Sequence, residues 1–283
     1  FNKKTGFLND YVFSKRHIIQ SELIPHFWRA PTDNDRGNMM HIRTAIWKDI
    51  GKELNIKFFQ RSLSKNVAKI KMVANHDPTG SVVTIKYNIF GNGLIDIEQE
   101  IVTEKESLPE LPRFGMKMTL PKDFNKVSWY GRGPHESYWD RKISAPVKVY
   151  SGTVWEQTYP YVRPQETGNK TDVRWMALDN GTIGLLAIGQ KLFDGSVHQY
   201  PYRDLENIPG DKRHGKLDIK PKNQVDWLID YRQTGVGGDN SWGARTHQKY
   251  TLDGKSTNYK YNFYLIPFTK GVDIMDLSKI NMN

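Results

Sequence analysis

The sequence predicts an all-β fold, a large antiparallel β-sandwich with one short helix. Three observations predict it: most segments are rich in β-branched and aromatic residues, several alternate between apolar and polar positions, and turn-forming glycines and asparagines separate them. A chain of 283 residues with 37% hydrophobic and 12% aromatic residues is long enough to bury a sizeable core. Many strands, regular turns and a single helix together favour the sandwich.

The helix comes first among these elements. Over Asn38–Leu54 an isoleucine or leucine recurs at every fourth position, which places four side chains on one stripe of a helix: Ile42, Ile46, Ile50 and Leu54. The acidic and amide side chains just before it could help to open the helix, and Gly51 could mark its end.

The strands follow. We predict them at Ser81–Asn88, Gly93–Val102, Gly181–Gly189, Val225–Tyr231 and Thr257–Phe268. A hairpin-like turn at Gly91–Gly93 separates the first two, and an Asn-Gly turn precedes the third.

Two strands have a clear buried face. Alternation in the second strand places Ile95, Ile97 and Ile101 on one side. In the last strand one face is aromatic and aliphatic, and comprises Tyr259, Tyr261, Phe263 and Leu265. Lys260 and Asn262 lie on its other face.

The chain is predicted to form a single domain over residues 1–283. Pro109 and Pro112 bracket a short loop that could separate two halves of one sandwich, and residues 269–283 could be a tail outside the core. No internal repeat or low-complexity linker divides the chain.

Composition excludes several function classes. The chain has no cysteine, and therefore no disulfide, thiolate zinc site or cysteine nucleophile. It has no apolar run of the roughly 20 residues that cross a bilayer, so we predict no membrane partner. The net charge is +10, but the basic residues are scattered and the densest cluster, Asp211–Lys216, is typical of a solvated loop. We therefore predict no nucleic-acid partner.

The compartment stays undetermined between cytoplasm and periplasm. The chain begins at Phe1 without a methionine or a signal-peptide pattern, as a cut or processed piece would.

No catalytic constellation can be assembled from the residues alone. His-Glu-x-x-His and Gly-x-Ser-x-Gly are absent, and Gly131–Gly133 lacks the third glycine of a dinucleotide site. Asp33–Gly37 has the outline of a calcium loop, but its glycine comes one position early and Thr44 stands where a bidentate carboxylate is needed. Glycoside hydrolysis needs a carboxylate pair. Nothing in the sequence pairs any of the candidate acids, Asp35, Glu136, Asp140, Glu166 and Asp239.

Two stretches are hard to explain by packing alone. Gly235–Gly243 places Trp242 at the tip of a glycine-rich loop, with Asp239 and Asn240 beside it. An aromatic face stacks on a sugar ring while neighbouring amides and carboxylates bond its hydroxyls, although Trp242 could instead fold back as a local core plug. Trp129–Arg141 is aromatic and glycine-rich, and could be a rigid structural loop or an interface.

These stretches carry a family resemblance. Four motifs, in the same order, are similar to the small chain of the β-galactosidases, the lactose-cleaving branch of glycoside hydrolase family 2: Phe27–Gly37, Trp129–Arg141, Tyr159–Gly168 and Gly235–Trp242. The resemblance extends from about residue 20 to about residue 267.

The resemblance implies a supersandwich related to galactose mutarotase, which follows a central TIM barrel. The barrel domain, or a separate large chain, would hold the acid/base and nucleophile glutamates, so no catalytic residue is expected in this chain. Trp242, with Asp239 and Asn240, would contact the galactoside, particularly the sugar in the leaving-group position. Further motif positions are implied as structural or interface residues: Arg29, Asp33, Asn34, Asp35, Glu136, Arg141 and Glu166.

It also implies that this segment binds no cofactor or metal, because the magnesium and most sodium ligands of the family belong to the barrel. The parent enzyme would be a homo-oligomer that hydrolyses terminal β-D-galactosides such as lactose with retention, and the isolated chain would be inactive. The loop that continues past Gly37 can move in relatives.

Other classes stay open. The chain could be a free-standing galactoside-binding module, or a mutarotase-like sugar module that uses His198 with Glu166 or Glu206, although no spacing supports that pair. It could also be a structural domain that stabilises an oligomer, with an apolar patch facing the barrel.

Overall fold

Twelve antiparallel strands form one continuous sheet within residues 1–206, 212–240 and 242–279, which the computed structural model of the chain describes. A separate ribbon of β1 (Val12–Phe13) and β2 (Arg16–His17) precedes it. The strands of the large sheet are β3 (Ser21–His26), β4 (Asn55–Ser64), β5 (Val67–His76), β6 (Ser81–Phe90), β7 (Ile95–Val102), β8 (Arg113–Pro121), β9 (Lys126–Arg132), β10 (Val147–Thr153), β11 (Lys170–Asp179), β12 (Ile183–His198), β13 (Gln224–Gln233) and β14 (Asn258–Thr269).

The sheet forks at β12, its longest strand. The main path runs β10-β9-β11-β12-β14-β7-β6-β5-β4. Residues 183–189 of β12 pair with β14, whereas residues 194–198 pair with β13, which pairs in turn with β8, and β8 with β3. One strand that serves both branches turns the sheet back over itself, as in sandwiches whose corner strands switch sheets.

The two branches enclose one main core. Buried side chains of β5, β6, β7 and β14 share an apolar cluster with those of β8 and β13. Phe114 of β8 stands 5.4 Å from Tyr261 of β14 between ring centroids, and the Tyr261 hydroxyl donates to the Ile229 carbonyl of β13 at 2.8 Å. The predicted antiparallel sandwich is confirmed.

The alternation predicted for the strands is also confirmed. Ile95, Ile97 and Ile101 are buried, and so are Phe263 and Leu265. All five predicted strands are present. The third is much longer than predicted, because β12 continues past Gly189 to His198, where it pairs with β13 instead of β14.

The predicted continuous helix over Asn38–Leu54 is wrong. The segment is a series of short turns: α1 (Asp33–Gly37), α2 (Met40–Arg43), a 3₁₀ turn (Ala45–Trp47) and α3 (Ile50–Glu53). Its breaks fall at Thr44 and Asp49, whose backbone is not helical.

Two side chains favour these breaks. The Thr44 hydroxyl donates to the Met40 carbonyl at 2.8 Å, a back-bond that bends helices. The buried Trp47 donates its indole N–H to the Pro109 carbonyl at 3.2 Å. Burial of Trp47 thus determines the local conformation more strongly than the isoleucine and leucine pattern does, and Ile42 of that pattern is 60% exposed.

The remaining helical turns are short. They are α4 (Gly215–Asp218), α5 (Ile274–Leu277) and 3₁₀ turns at Trp155–Gln157, Tyr202–Leu205 and Gln248–Tyr250. Ile274 and Leu277 of α5 pack on a small apolar cluster that includes Phe268. Residues 280–283 of the predicted tail, and Asp211 of the basic cluster, lie outside the described residues. Where the structure describes the chain, no helix is long and apolar enough to span a membrane.

The loop bracketed by Pro109 and Pro112 carries the chain from β7, in one branch, to β8, in the other. It therefore lies where the two halves of the sandwich are joined.

A buried acid in β12 makes the stability of this sandwich depend on pH. Burial raises the pKa of Asp194 from 3.8 to about 7, an effect that the nearby Arg232 partly offsets. The folded chain keeps this proton in a range where the unfolded chain has lost it. The free energy of unfolding should therefore fall as the pH rises from about 4 to about 7, with a contribution of up to ~1.4 kcal/mol per pH unit.

Asp194→Asn should remove this contribution and flatten the decline of stability over that range. Urea unfolding at several pH values measures it, with Asp77→Asn, on an exposed turn after β5, as the matched control. Parallel profiles for Asp194→Asn and the unmodified chain would contradict the assignment.

Candidate functional site

The glycine-rich loop predicted to contact sugar extends into solvent. It leaves β13 at Thr234 and carries Trp242, whose side chain is 89% exposed. The core-plug alternative for Trp242 is therefore wrong. Ser241 lies outside the described residues.

The loop is held in shape by its own polar groups. The Asn240 side-chain oxygen accepts from the Trp242 amide at 2.9 Å and from the Ala244 amide at 3.2 Å. The Thr246 hydroxyl donates to the Gly235 and Gly237 carbonyls at 2.8 and 2.9 Å. Asp239 is exposed and lies 2.6 Å from His247 Nε2. Trp242 thus projects from an internally bonded loop.

The short helix α1 contacts this loop and forms hydrogen bonds with its backbone. Asn34 donates to the Ala244 carbonyl at 3.1 Å and accepts from the Gly243 amide at 3.2 Å. Gly243 has a φ of +97°, and a Cβ there would lie 2.3 Å from the Gly37 carbonyl carbon. Only glycines permit this approach of the two backbones. The backbone on the C-terminal side of Trp242 is therefore fixed by α1.

A buried ion pair sets the position of α1. Thr32 and Asp35 form a reciprocal capping box that opens α1 itself, whereas the acids and amides of this cluster were predicted to precede a helix over Asn38–Leu54. Arg29 donates to both Asp35 oxygens at 2.7 and 3.0 Å, and also to the Thr234 and Gly235 carbonyls. Although burial opposes its charge, Asp35 raises the pKa of Arg29 above its ordinary value. Both Asp35 oxygens are therefore engaged by Arg29.

The second motif supports the loop from another side. Both Asp140 oxygens accept backbone N–H groups at its root, from Val236 at 3.0 Å and Gly237 at 2.7 Å. Arg141, next in sequence, has an exposed side chain. Asp140 thus acts as an anchor for the Trp242 loop.

Glu136 joins the second motif to the third. It accepts from the Tyr161 and Thr167 hydroxyls and from the Gly168 amide, the last at 2.7 Å. Burial, with Glu136 nearby, raises the pKa of Tyr161 well above its ordinary range. The third motif also reaches α1, because Gln165 bonds the backbone N–H and the carboxylate of Asp33 at 3.2 and 3.3 Å.

These three motifs enclose a cavity of about 680 Å³. Its wall includes polar and charged side chains from each motif together with two tyrosines and one exposed aliphatic residue: Asp33, Asn34, Glu136, Tyr138, Asp140, Arg141, Ile143, Tyr161, Gln165 and Glu166. The volume falls within the range of small-molecule sites.

Glu166 belongs to a buried network beneath this cavity. Arg113 donates to both of its oxygens at 3.3 Å, Gln233 donates at 3.3 Å, and the Tyr202 hydroxyl donates as well. Arg113 also stands 3.2 Å from Asp230. Glu166 is thus held by Arg113, Gln233 and Tyr202 where it meets the cavity wall.

His198, the histidine considered for a mutarotase-like site, has no surface that a sugar could reach. His198 is fully buried, and burial lowers its pKa to about 3, with Arg113 and Lys117 adding to the effect. Its Nδ1 lies 3.3 Å from the Tyr200 hydroxyl. Glu206 pairs with Lys48. Among the described residues, His198 forms no hydrogen bond or ion pair with Glu166 or Glu206.

The structure brings most predicted positions together. Arg29, Asp33, Asn34, Asp35, Glu136, Arg141 and Glu166 all lie at or beneath the root of the Trp242 loop, among the motifs that enclose the cavity. Sequence reasoning did not single out Tyr161 and Gln165, although both lie inside the third motif, or Arg113, for which no local pattern gives a signal. In the described ranges no three His, Asp or Glu side chains are grouped so that they could hold a metal ion.

Comparison with known proteins gives a consistent set of relatives. A family model described as Beta galactosidase small chain matches residues 1–265. A β-galactosidase of Priestia megaterium is 36% identical over 270 residues, covering 94% of this chain and 25% of that protein. A β-galactosidase of Lactobacillus delbrueckii subsp. bulgaricus is 33% identical over 258 residues, covering 89% of this chain and 24% of that protein. The chain thus spans about a quarter of the length of these curated relatives.

A solved structure is similar in fold. Galactose 1-epimerase from Lactobacillus acidophilus NCFM superimposes with a TM-score of 0.50 at 7% sequence identity, covering 94% of this chain and 89% of that one. At this identity the likeness concerns the fold alone, and it agrees with the predicted mutarotase-like sandwich.

Proposed function

The chain belongs to the β-galactosidase small-chain family, and from this premise we propose that it completes a glycoside hydrolase family 2 enzyme that hydrolyses terminal β-D-galactosides, lactose among them, with retention. The nucleophile and acid/base glutamates lie on a TIM-barrel domain or large chain of the same enzyme. This chain supplies one wall of the sugar site. The parent enzyme is a homo-oligomer in which the barrel portion supplies the magnesium ligands and most of the sodium ligands.

The exposed Trp242 is the observation that carries this proposal. An indole that is 89% exposed on a loop braced by Asn34 and Asn240 presents a fixed apolar face to solvent. Such a face stacks on the C–H face of a pyranose, and the neighbouring Asp239 carboxylate and Asn240 side-chain amide are the groups that would bond its hydroxyls. We assign the stacked ring to the leaving-group sugar, which Trp242 would orient for bond cleavage.

The hydrogen bonds of the carboxylates in this chain support the assignment of the catalytic carboxyl groups to the partner. Retaining hydrolysis needs two carboxyl groups about 5–5.5 Å apart and open to the substrate. Asp35, Asp140 and Glu166 are each engaged by Arg29, by loop amides or by the buried network. Glu136 accepts three hydrogen bonds from the third motif. The chain would therefore bind and orient the sugar, and the partner would perform the chemistry.

The test is hydrolysis of a chromogenic β-galactoside by the chain alone and after mixing with the catalytic portion of the parent enzyme. We expect no turnover by the chain alone, and turnover on mixing that depends on the concentration of this chain. Nuclear magnetic resonance of the first product should find β-galactose, as retention requires. Turnover by the purified chain alone would mean that an active carboxylate pair lies within it, and the proposal would be wrong.

A galactoside-binding module without turnover is the second candidate, because an exposed indole would serve it equally well. Saturable binding of methyl β-galactoside by the isolated chain, with no gain of hydrolysis on mixing, would favour it. Weak or absent binding by the isolated chain together with hydrolysis on mixing favours the shared site.

A further inference from the structure

A histidine outside the glycine-rich loop holds the carboxylate of Asp239 in place. His247 Nε2 lies 2.6 Å from Asp239 Oδ1, and because a carboxylate only accepts hydrogen bonds, the imidazole N–H is the donor. The Asp239 side chain is 80% exposed and that of His247 is 54% exposed. Among the described residues, no other group bonds the Asp239 side chain. An acid this open to water would otherwise occupy several rotamers, so His247 restricts its orientation.

The backbone around His247 is anchored to the root of the loop. His247 precedes the last 3₁₀ turn of the chain, and its carbonyl accepts from the Tyr250 amide at 2.9 Å. The Tyr250 carbonyl in turn accepts from the Gly235 amide at 2.8 Å. The Tyr250 ring packs edge-on against Trp139, with 5.9 Å between the ring centroids. His247 is thus the fixed member of the pair, and the side chain of Asp239 takes its position from it.

The pair borders a cavity of about 200 Å³ beside the loop. Tyr250 contributes an aromatic side chain to its wall. Arg141 lines it as well, and the Arg141 side chain forms no hydrogen bond or salt bridge with a described residue. A carboxylate acceptor, a guanidinium donor and an aromatic ring around so small a cavity suit a single sugar ring, one hydroxyl of which donates to the acid while another accepts from the guanidinium.

The other polar side chain near the tip of the loop is less suited to bind a sugar hydroxyl. The Asn240 oxygen already accepts from the Trp242 and Ala244 amides. Asp239, three residues before Trp242, keeps its second oxygen, Oδ2, without a partner among the described residues. A sugar that stacks on the indole would therefore find its hydrogen-bond acceptor in Asp239 rather than in Asn240.

We propose that His247 is a positioning residue for the leaving-group sugar: it orients Asp239 so that this carboxylate bonds a hydroxyl of that sugar at the cavity. The inference rests on the proposed function and adds a source of specificity to it. Trp242 can stack on any leaving group with a flat apolar face, whether sugar or aryl. The pair of His247 and Asp239 recognises only a leaving group that carries hydroxyls, so it favours saccharides over aryl groups.

Steady-state kinetics of the parent enzyme with lactose and with phenyl β-galactoside test the proposal. The leaving-group sugar of lactose carries hydroxyls, whereas the phenyl group carries none. We expect His247→Ala to raise the KM for lactose by about 3- to 10-fold, because the hydrogen bond to Asp239 loses its fixed geometry. The kcat for lactose and both constants for phenyl β-galactoside should not change. An unchanged KM for lactose would overturn the proposal. Equal losses with both substrates would overturn it too, since the substitution would then disturb the whole Trp242 loop.

His17→Ala is the matched control, because His17 lies 2.8 Å from Asp10 in another exposed histidine–aspartate pair, on β2. It should alter neither KM. His247→Gln, whose amide can donate to Asp239, should recover most of the lactose affinity that His247→Ala loses. Combining Asp239→Asn with His247→Ala should raise the KM for lactose no further than Asp239→Asn alone. Additive increases would show that His247 does not act through Asp239, and the positioning role would be wrong.

The same kinetics separate this inference from the proposed function. If the unmodified parent enzyme hydrolyses neither substrate, the proposed function is contradicted, and the inference with it. If the parent enzyme hydrolyses both substrates and His247→Ala leaves the ratio of the two KM values unchanged, only the inference is contradicted.

Discussion

Replacing Arg113 with methionine should lower the free energy of unfolding by about 3–5 kcal/mol. Arg113 is fully buried and is the cation that Glu166 and Asp230 share, at 3.3 and 3.2 Å. Burial raises the pKa of Asp230 well above its ordinary range, while Arg113 opposes that shift. Removing the guanidinium leaves Glu166 buried without its cation, and the penalty for that uncompensated charge outweighs the packing that methionine restores.

Urea unfolding followed by tryptophan fluorescence measures this loss. Arg16→Met is the matched control, because Arg16 pairs with Asp123 at 2.5 Å where both side chains are more than 40% exposed. An exposed pair of this kind contributes at most about 1 kcal/mol. If the two variants lost the same stability, the buried network would have no special role in the fold.

The parts of the fold that were predictable from sequence are those with a strict local period. Alternation of isoleucine with polar residues in β7, and of aromatic with polar residues in β14, determines which face is buried. The sequence does not reveal that β12 changes neighbours halfway, because its pairing depends on strands remote in the chain. The four-residue stripe at Ile42–Leu54 predicted a helix, which Thr44 breaks through a local back-bond to Met40 and Trp47 through a tertiary contact with Pro109.

The sequence indicated which loops form the candidate site, but not how these loops are arranged in space. Glycine and aromatic composition identified the Trp242 loop and the second motif. No local pattern indicates that Asn34 bonds Gly243 or that Arg29 bonds Thr234, across more than 200 residues of sequence. Arg113 and Asp194 gave no signal either, since a single buried charge is recognisable only from its surroundings.

The buried network around Glu166 is connected directly to the root of the Trp242 loop. Gln233, at the end of β13, donates to Glu166 at 3.3 Å, and the next two carbonyls, of Thr234 and Gly235, accept from Arg29. The loop therefore starts from a strand end that is bonded to Glu166 on one side and to Arg29 on the other. This arrangement allows an exposed tryptophan to be held in place without packing of its own ring.

Trp242→Ala should weaken the parent enzyme as a catalyst without weakening the fold. If stacking on the sugar is its main contribution, the loss is roughly 1–3 kcal/mol, which corresponds to an increase in KM of about 5- to 150-fold. The side chain is 89% exposed, and the loop is held by hydrogen bonds that the substitution leaves in place, so the midpoint of urea unfolding should not change.

Steady-state kinetics with lactose and with an aryl β-galactoside measure the effect, and Trp242→Phe is the control because it keeps a smaller aromatic face. We expect Trp242→Phe to retain most of the affinity that Trp242→Ala loses. Unchanged kcat and KM in Trp242→Ala would exclude the sugar contact. Because the ring contributes so little to packing within this chain, any kinetic loss at unchanged stability must arise from what the ring contacts in the assembled enzyme.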